Sequence, residues 1–432
     1  MTRVIVGLIG YGNVGSGVVK FLQRKKNYIR KKFNMEFVVK TICDRSISKK
    51  NTEGLVGTIL TTNVNDILND SETAVVIELI GGLNPSKEII LTALKQGKHV
   101  ITANKELIAH HGKELFQEAH LNDRNIYFES SVMAGVPLIN IITSGLAGNQ
   151  FNRLYGIING TCNYILSSMT QKNYTFAQAL AEAQQNGFAE SNPTLDISGM
   201  DSAHKLTILV SLTLGKFIKL SDIYTEGITH ISHVDIEHAE SLNLTIKLLA
   251  IAKKIDKEIE ARVHPTLISK DHPLASINGI FNAIFVDADP LGDILLSGQG
   301  AGQMSAASGV ISDLINFASR EGCRASNYLA NLHQESATTV VKSIDQVQSK
   351  FYFRFMAADK PGVLSQITGI LGHHGISINS VTQKAHDKVV AVPVVMLTDY
   401  APENMVRLAL DEIHKSGIVK SKPVVIRMED LP

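Results

Sequence analysis

Six residues, Gly10-Tyr-Gly12-Asn-Val-Gly15, narrow the folds open to this chain more than any other stretch. They follow a short apolar run of strand type, Val4-Ile-Val-Gly-Leu-Ile9, and precede a segment, 16–32, that reads as a helix. The order strand, Gly-x-Gly-x-x-Gly, helix is what turns a weak glycine pattern into a dinucleotide-binding signature. Gly10 permits the tight turn, Gly12 lets backbone approach a pyrophosphate, and Gly15 lets helix and strand pack closely. Asn13 and Val14 complete the loop. An anion there rests on the helix N-terminus, where unpaired N–H groups and the dipole favour it.

After residue 32, strand alternates with helix. The run 37–43 is a strand ending at Asp44-Arg45. An acid at that point holds the ribose 2′-OH of NAD, and an arginine suits the extra phosphate of NADP. Both are present, with Lys49 and Lys50 close behind, so NADP or NAD stays open. The run 74–80 is a buried strand closed by Gly81-Gly82, and a helix over 85–96 ends at Gly97. The strand 98–102 delivers Ala103-Asn-Lys105 past its end. Ligands bind at the carboxyl ends of parallel strands, so Lys105 points at cofactor or substrate. A further strand at 125–129 completes a Rossmann-type doubly wound parallel sheet of the α/β class.

Beyond residue 130 the pattern changes. The run 138–146 reads as a helix and 153–158 as a strand ending in Asn159-Gly160-Thr161; a helix comes next over about 162–169. Thr175 is placed to cap the next helix, which stops at Gly187. Strand-like runs near 260–268 and 280–286 make this a second, α+β domain. Within it, Gly187-Phe-Ala-Glu190 through Asp196 to Asp201-Ser-Ala-His-Lys205 gathers acids and a lysine at the mouth of the apolar helix 206–214. Asp201 and Lys205 are four apart and share a helix face. In isolation such a pair is a solvated salt bridge worth roughly a few tenths of a kcal/mol. Beside Glu190 and Asp196, downstream of a dinucleotide signature, the lysine is a candidate proton carrier, because neighbours and burial move an ammonium pKa. Gly298-Gln-Gly300-Ala-Gly302 then opens the helix 305–319, which is expected to return to the first domain. The segment 321–347 is polar and reads as a connector.

From Lys350 the chain restarts as a compact unit. Strand 351–356, a turn at Asp359-Lys-Pro-Gly362, helix 363–374, strands 376–382 and 389–397, helix 402–416 and strand 424–428 spell β-α-β-β-α-β, a ferredoxin-like order. The pair His373-His374 at a helix end reads as dipole-matched and exposed rather than metal-bound.

Charge excludes some partners. Lysine and arginine total 42 against 41 acids, so nothing favours nucleic acid or an anionic membrane surface. The uncharged stretch 130–152 is broken by Gly135, Pro137, Gly145 and Gly148 and reads as buried core and loop, not a membrane span. Met1-Thr-Arg runs straight into a strand pattern, with no signal peptide, and a cytoplasmic location is expected. Cys43, Cys162 and Cys323 lie far apart without metal spacing and read as buried free thiols.

Taken together, Gly10–Gly15, Glu78-Leu-Ile-Gly-Gly82, Gly97-Lys-His-Val-Ile-Thr-Ala-Asn-Lys105, Asn159-Gly-Thr-Cys-Asn-Tyr-Ile165, the 190–205 stretch and Gly300-Ala-Gly302 resemble the homoserine dehydrogenases that carry a C-terminal ACT domain and no fused aspartate kinase. The resemblance covers nearly the whole chain. It implies interconversion of homoserine and aspartate 4-semialdehyde with a nicotinamide cofactor. It implies a dinucleotide domain over 1–136 with about 300–320, a catalytic and dimerisation domain over 137–299, a connector over 321–349 and an ACT regulatory domain over 350–432. Lys205 matches the catalytic proton donor and acceptor, and Lys105 the lysine touching both cofactor and substrate. Glu190 and Asp201, with Asp196 beside them, match groups that bind the substrate ammonium and hydroxyl. Gly187 and Gly302 match cofactor contacts. Backbone carbonyls of Glu129, Val132, Ala134 and Val136 match a sodium site, and carbonyl oxygens suit a hard cation. Threonine is the implied effector of the ACT domain, with Asp359, Gly362 and Asn379 in the turn and strand where family ligands sit, and a homodimer or homotetramer is the implied assembly. The chain departs from the family in the order Asp44-Arg45, where arginine often precedes the acid, in Gln299 for a common proline, and in Cys162 for a common threonine. Two rivals differ in chemistry. A 2-hydroxy-acid or prephenate dehydrogenase with an ACT tail would present histidine and arginine, and a sensor of dinucleotide and amino acid would need neither Lys105 nor Lys205.

Overall fold

The computed structural model describes residues 1–319, 324–332, 340–383 and 391–432. Two units of interleaved segments emerge: 1–152, 204–220 and 286–339 form one, and 153–203, 221–285 and 340–432 the other.

The first unit is built on a parallel sheet of β1 (Thr2–Ile9), β2 (Met35–Cys43), β3 (Ile59–Thr61), β4 (Val75–Glu78), β5 (His99–Thr102) and β6 (Ile126–Tyr127). Their spatial order is β3-β2-β1-β4-β5-β6, all parallel. A strand covered on both faces loses alternation and reads as a continuous apolar run. Val75, Val76 and Ile77 show this, each fully buried. The order reverses between β1 and β4, which leaves a crevice at their carboxyl ends. One face is packed by α1 (Asn13–Phe33) and by the helix Gln303–Ala318. Ala307, Val310 and Leu314 of the latter share a core with Val6, Leu8, Val18 and Ile77. The late helix does return to the first domain.

The polar segment expected as a connector carries a helix at Arg324–Asn331. Ala325 and Leu329 are buried, and Ser326 Oγ accepts the Ile126 N–H at 3.2 Å. Two short turns with a narrow apolar stripe leave little periodicity to read. Residues 321–323 and 333–339 of that segment, Cys323 among them, lie outside the described residues, as do 389 and 390 of the strand expected at 389–397. Cys43 and Cys162 are buried free thiols, as expected.

The second unit centres on a mixed sheet in the order Phe281–Asp289, Gln150–Ile157, Leu244–Ile255, Glu258–Ser269, Val424–Met428, Gln348–Ala358, Ala391–Thr398 and Ile378–Gln383. Sequence periodicity gives no sign of Leu244–Ile255, whose Leu, Ala and Lys favour a helix. Leu248 to Ala252 are buried in succession, and the strand pairs antiparallel along its whole length with Glu258–Ser269. Tertiary packing overrides propensity here.

Residues from Gln348 onward form the expected β-α-β-β-α-β unit. Phe351, Phe353 and Phe355 pack on the helices Val363–His373 and Glu403–Lys415. On the opposite face, Tyr352 Oη and Arg354 Nε donate to the buried Asp235 at 3.2 and 2.7 Å. Asp235 belongs to the helix His233–Ser241. One edge of the strand Glu258–Ser269 is shared by three short parallel partners. Val340–Val341 pairs at Glu258 and Ile259, Tyr224–Thr225 at Arg262 and Val263, and Arg427–Met428 at Thr266 and Leu267.

Candidate active site

A cleft of about 670 Å³ opens where the parallel sheet reverses its order, lined by Gly10, Gly12, Asp44 and Arg45. Gly10 has φ +97°, and a Cβ on it would lie 2.6 Å from the Leu79 carbonyl, so only glycine makes this turn. Around Gly12 a Cβ would meet nothing within 4 Å. That open space, beside a helix N-terminus with no side-chain cap, is what a pyrophosphate requires. Val14 is half-buried and Asn13 exposed. Gln303 Nε2 donates to the Asn13 carbonyl at 2.9 Å and lies 3.1 Å from Ser16 Oγ. This brings the start of the helix Gln303–Ala318, entered through Gly302 at φ +116°, beside the start of α1. The residues present fit a dinucleotide.

Asp44 is pinned. One oxygen accepts the N–H and Oγ of Ser46, each at 2.8 Å, and the other accepts the Tyr11 N–H at 2.8 Å. Burial would raise its pKa, but these donors outweigh burial and hold the carboxyl below its ordinary range. A carboxylate therefore faces the cleft, with Arg45 beside it.

Glu78 heads one of the motifs that carry the family resemblance, but its role as an organiser shows only in the structure. It is fully buried at the end of β4. Oε1 accepts the N–H of Ile80 at 2.8 Å, the N–H of Gly81 at 3.3 Å and Ser86 Oγ at 3.1 Å. Oε2 accepts Thr102 Oγ1 at 2.7 Å. Thr102 Oγ1 takes the Asn104 N–H at 3.0 Å, and Asn104 caps the helix Lys105–Leu121 by accepting the Leu107 N–H at 3.1 Å. Asn104 Nδ2 also reaches the Gly82 carbonyl at 2.7 Å. One buried acid thus fixes both the glycine loop and the start of the helix that carries Lys105. An acid closing an apolar strand is the sequence signal for it.

The segment from Glu129 to Val136, buried except at Gly135, folds back on itself, with Met133 at φ +49° and the Val136 N–H on the Met133 carbonyl at 2.7 Å. Ser130 Oγ donates to the Ala306 carbonyl at 2.7 Å, and Ala134 N–H to that of Gly300 at 3.2 Å. The Glu129 carboxylate accepts the N–H groups of Ile139 and Asn140 at 2.9 and 3.0 Å, so its side chain holds the next turn. Burial lifts its pKa to about 7 against the pull of these donors. Asp313, which accepts the Glu129 N–H at 3.0 Å, is driven well above the carboxylate range by burial and by Glu129.

In the second unit the first turn of the helix Gly160–Lys172 gathers the acidic stretch. Asn159 is its N-cap and accepts the Cys162 N–H at 2.8 Å. The same side chain donates through Nδ2 to Asp196 at 2.7 Å and to Asp201 at 2.8 Å. Thr161 Oγ1 donates to the Phe188 carbonyl at 2.7 Å and Cys162 Sγ to the Asp196 carbonyl at 3.1 Å. Phe188 lies between Gly187, at φ +72°, and the exposed Glu190, whose carbonyl takes Gln184 Nε2 at 3.1 Å. Asp196 and Asp201 are thereby brought together. Asp201 and Lys205 are buried on the single helix Met200–Leu214, one turn apart. Asn-Gly-Thr ahead of a helix signals a cap, but sequence spacing gives no clue to the two aspartates it holds.

Asp359, Gly362 and Asn379 are exposed. Gly362, at φ +89°, opens the helix Val363–His373. Of the two histidines, His373 is exposed and His374 Nε2 lies 2.8 Å from Glu412. No cluster of histidine, cysteine or acidic side chains suited to a metal occurs among the described residues.

Comparison with known proteins agrees with this arrangement. Family models match as "Homoserine dehydrogenase, NAD binding domain" over residues 10–129, "Homoserine dehydrogenase" over 137–315 and "ACT domain" over 351–415. The chain is 40% identical to a homoserine dehydrogenase of Synechocystis sp., over 98% of this chain and 99% of that one. It is 39% identical to one of Pseudomonas aeruginosa over 100% of both. A crystal structure of a homoserine dehydrogenase from Thiobacillus denitrificans superimposes with a TM-score of 0.90 at 38% identity, covering 100% of this chain and 99% of that one. With its nucleotide cleft, its paired aspartates ahead of Lys205 and its terminal β-α-β-β-α-β unit, the chain belongs to the homoserine dehydrogenase family.

Proposed function

We propose that this chain interconverts L-homoserine and L-aspartate 4-semialdehyde with a nicotinamide dinucleotide, in the threonine and methionine branch of aspartate-derived amino-acid synthesis. The observation that carries the reading is the Asn159 amide holding Asp196 and Asp201 together one helical turn ahead of Lys205. A bound nicotinamide supplies hydride chemistry at C4 of the substrate, which belongs to the cofactor. The protein's part is to orient that carbon and to manage a proton at its oxygen. Asp201, with Asp196 and Glu190, binds the substrate ammonium and hydroxyl by charge-assisted bonds. Lys205 protonates the forming alkoxide, or removes the hydroxyl proton in the opposite direction, as a general acid or base. Lys105, at the carboxyl end of β5, contacts both cofactor and substrate. Gly187 and Gly302 add backbone contacts to the cofactor.

The functional division is 1–136 with about 300–320 for dinucleotide, 137–299 for substrate, and 350–432 for regulation by threonine at the exposed turn of Asp359 and Gly362 and the strand residue Asn379. Paired ACT copies imply a homodimer or homotetramer. Sodium at the carbonyls of Glu129, Val132, Ala134 and Val136 is supported by the buried, folded-back course of that segment. Either dinucleotide is compatible with Asp44 and Arg45 together. No described helix is long and apolar enough to cross a membrane, and a cytoplasmic location is proposed.

Nicotinamide absorbance with homoserine and each dinucleotide, with and without sodium and threonine, tests all of this. No absorbance change with homoserine and either dinucleotide would sink the assignment.

A further inference from the structure

Between Asp196 and Asp201 the chain makes a turn, Ile197-Ser-Gly199, that leans on a segment with no part in the chemistry. The Ile228 N–H donates to the Ile197 carbonyl at 2.9 Å. A Cβ on Gly227 would lie 2.1 Å from that carbonyl and 2.7 Å from Ser198 Cα, so backbone touches backbone there. A Cβ on Gly199 would be 3.2 Å from the Glu226 carbonyl. The supporting segment is hung in turn on the strand Glu258–Ser269, through Tyr224 and Thr225 and through the Glu226 N–H on the Val263 carbonyl at 2.8 Å.

The side chain of Glu226 is held by the ACT domain. Arg427, on the last strand and 4% exposed, donates through Nη1 to Glu226 at 2.6 Å and through Nη2 to Tyr224 Oη at 3.0 Å. Its Nε donates to Glu403 at 3.0 Å, and its guanidinium lies 4.7 Å from the centre of the Tyr224 ring. Tyr224 Oη donates to Glu226 at 2.7 Å, and His230 Nε2 sits 3.2 Å from the other Glu226 oxygen. Arg427 also pairs by backbone with Thr266, four residues along the strand from the partner of Tyr224. The ACT strand and the supporting segment are therefore fixed to the same edge and to each other.

We propose that Glu226 and Arg427 are positioning residues for the aspartates that bind the substrate: the last ACT strand sets the 226–228 segment, which sets the Ile197–Gly199 turn and with it Asp196 and Asp201. This rests on those aspartates binding the amino-acid substrate, as proposed above. It gives the ACT domain a route to the active site through its final strand.

The test is steady-state kinetics on the full chain. Gly227→Ala pushes the turn without altering charge, and Glu226→Gln weakens the pair without removing its oxygen. Each is expected to raise the homoserine KM roughly tenfold, the scale on which small misplacements act, with the dinucleotide KM held; Gly227→Ala also lowers the melting temperature, because its Cβ meets backbone. Arg407→Gln breaks an exposed pair with Asp345 on the same ACT helix as Glu403 and is expected to change neither KM. Folded Gly227→Ala and Glu226→Gln proteins with an unchanged homoserine KM would overturn the proposal. So would a dinucleotide KM that rises in step, because the effect would then be general. Asp201→Asn separates the underlying reading: an unchanged homoserine KM there removes the substrate role of the aspartates, and the proposal falls with it.

Discussion

Asn159 does three things with one amide: it caps a helix and gives a hydrogen bond to each of two carboxylates. Asn159→Ala removes the amide that bridges Asp196 and Asp201. Two like charges at close range raise the pKa of one member of the pair. The expected result is a homoserine KM raised roughly tenfold and an acidic limb of the pH–rate profile shifted to higher pH. A profile superimposable on that of the parent protein would deny Asn159 this role. Lys205→Ala is expected to lower kcat by about 10²–10⁴-fold, the usual size of general acid–base catalysis, while cofactor affinity measured by fluorescence titration holds. Near-normal turnover would move the role to Lys105. At this scale the sequence is legible where chemistry tracks local spacing, as with Asp201 and Lys205 on one helix face. Asn159 and Glu78 carry local signals, a helix cap and an acid closing a strand, but the residues they hold lie far along the chain and no spacing points to them.

Elements carry their own tests. In β5, His99 is held neutral: burial first, and Arg124 next, lower its pKa to about 4. Its Nδ1 accepts the Asn125 N–H at 3.2 Å, and its ring lies 4.9 Å from that of Phe317. Because the folded pKa lies below the unfolded value of about 6.5, the unfolded chain binds the extra proton first. This contribution to stability is whole above pH 6.5 and is lost as pH falls toward 4. His99→Gln keeps an acceptor and is expected to flatten the fall in urea midpoint between pH 7 and pH 5. An unchanged slope would assign the acid sensitivity elsewhere. At the start of α1, a Cβ on Gly15 would sit 2.1 Å from the Gly10 carbonyl. Gly15→Ala is thus expected to weaken dinucleotide binding at least tenfold, roughly, as read by titration. Strand, glycine loop and helix were readable here because each obeys its own period. Leu244–Ile255 and Arg324–Asn331 were not, the first because burial on both faces erases alternation, the second because two turns are too few for its narrow apolar stripe to establish a period.

For the molecule as a whole, a chain ended at residue 349 would lose Glu429. That leaves Lys253 without this partner and Arg262, 2% exposed, with Glu260 alone. Stranding buried charge is costly. The truncated chain is expected to melt well below the full one in a thermal scan. Equal melting temperatures would make the ACT domain a mere appendage. The parallel sheet at the start and the β-α-β-β-α-β order at the end were readable from motif and element order. The grafting of the last domain into the sheet of the second was not, because strand pairing between residues so far apart leaves no local trace. That graft has a consequence for synthesis. The edge of Glu258–Ser269 at Thr266 and Leu267 waits for Arg427 and Met428, which are made about 160 residues later. Domains otherwise fold in the order they emerge. A nascent chain therefore holds that stretch of edge unpaired while the intervening residues are made, and the mixed sheet closes there only once Arg427 and Met428 have emerged.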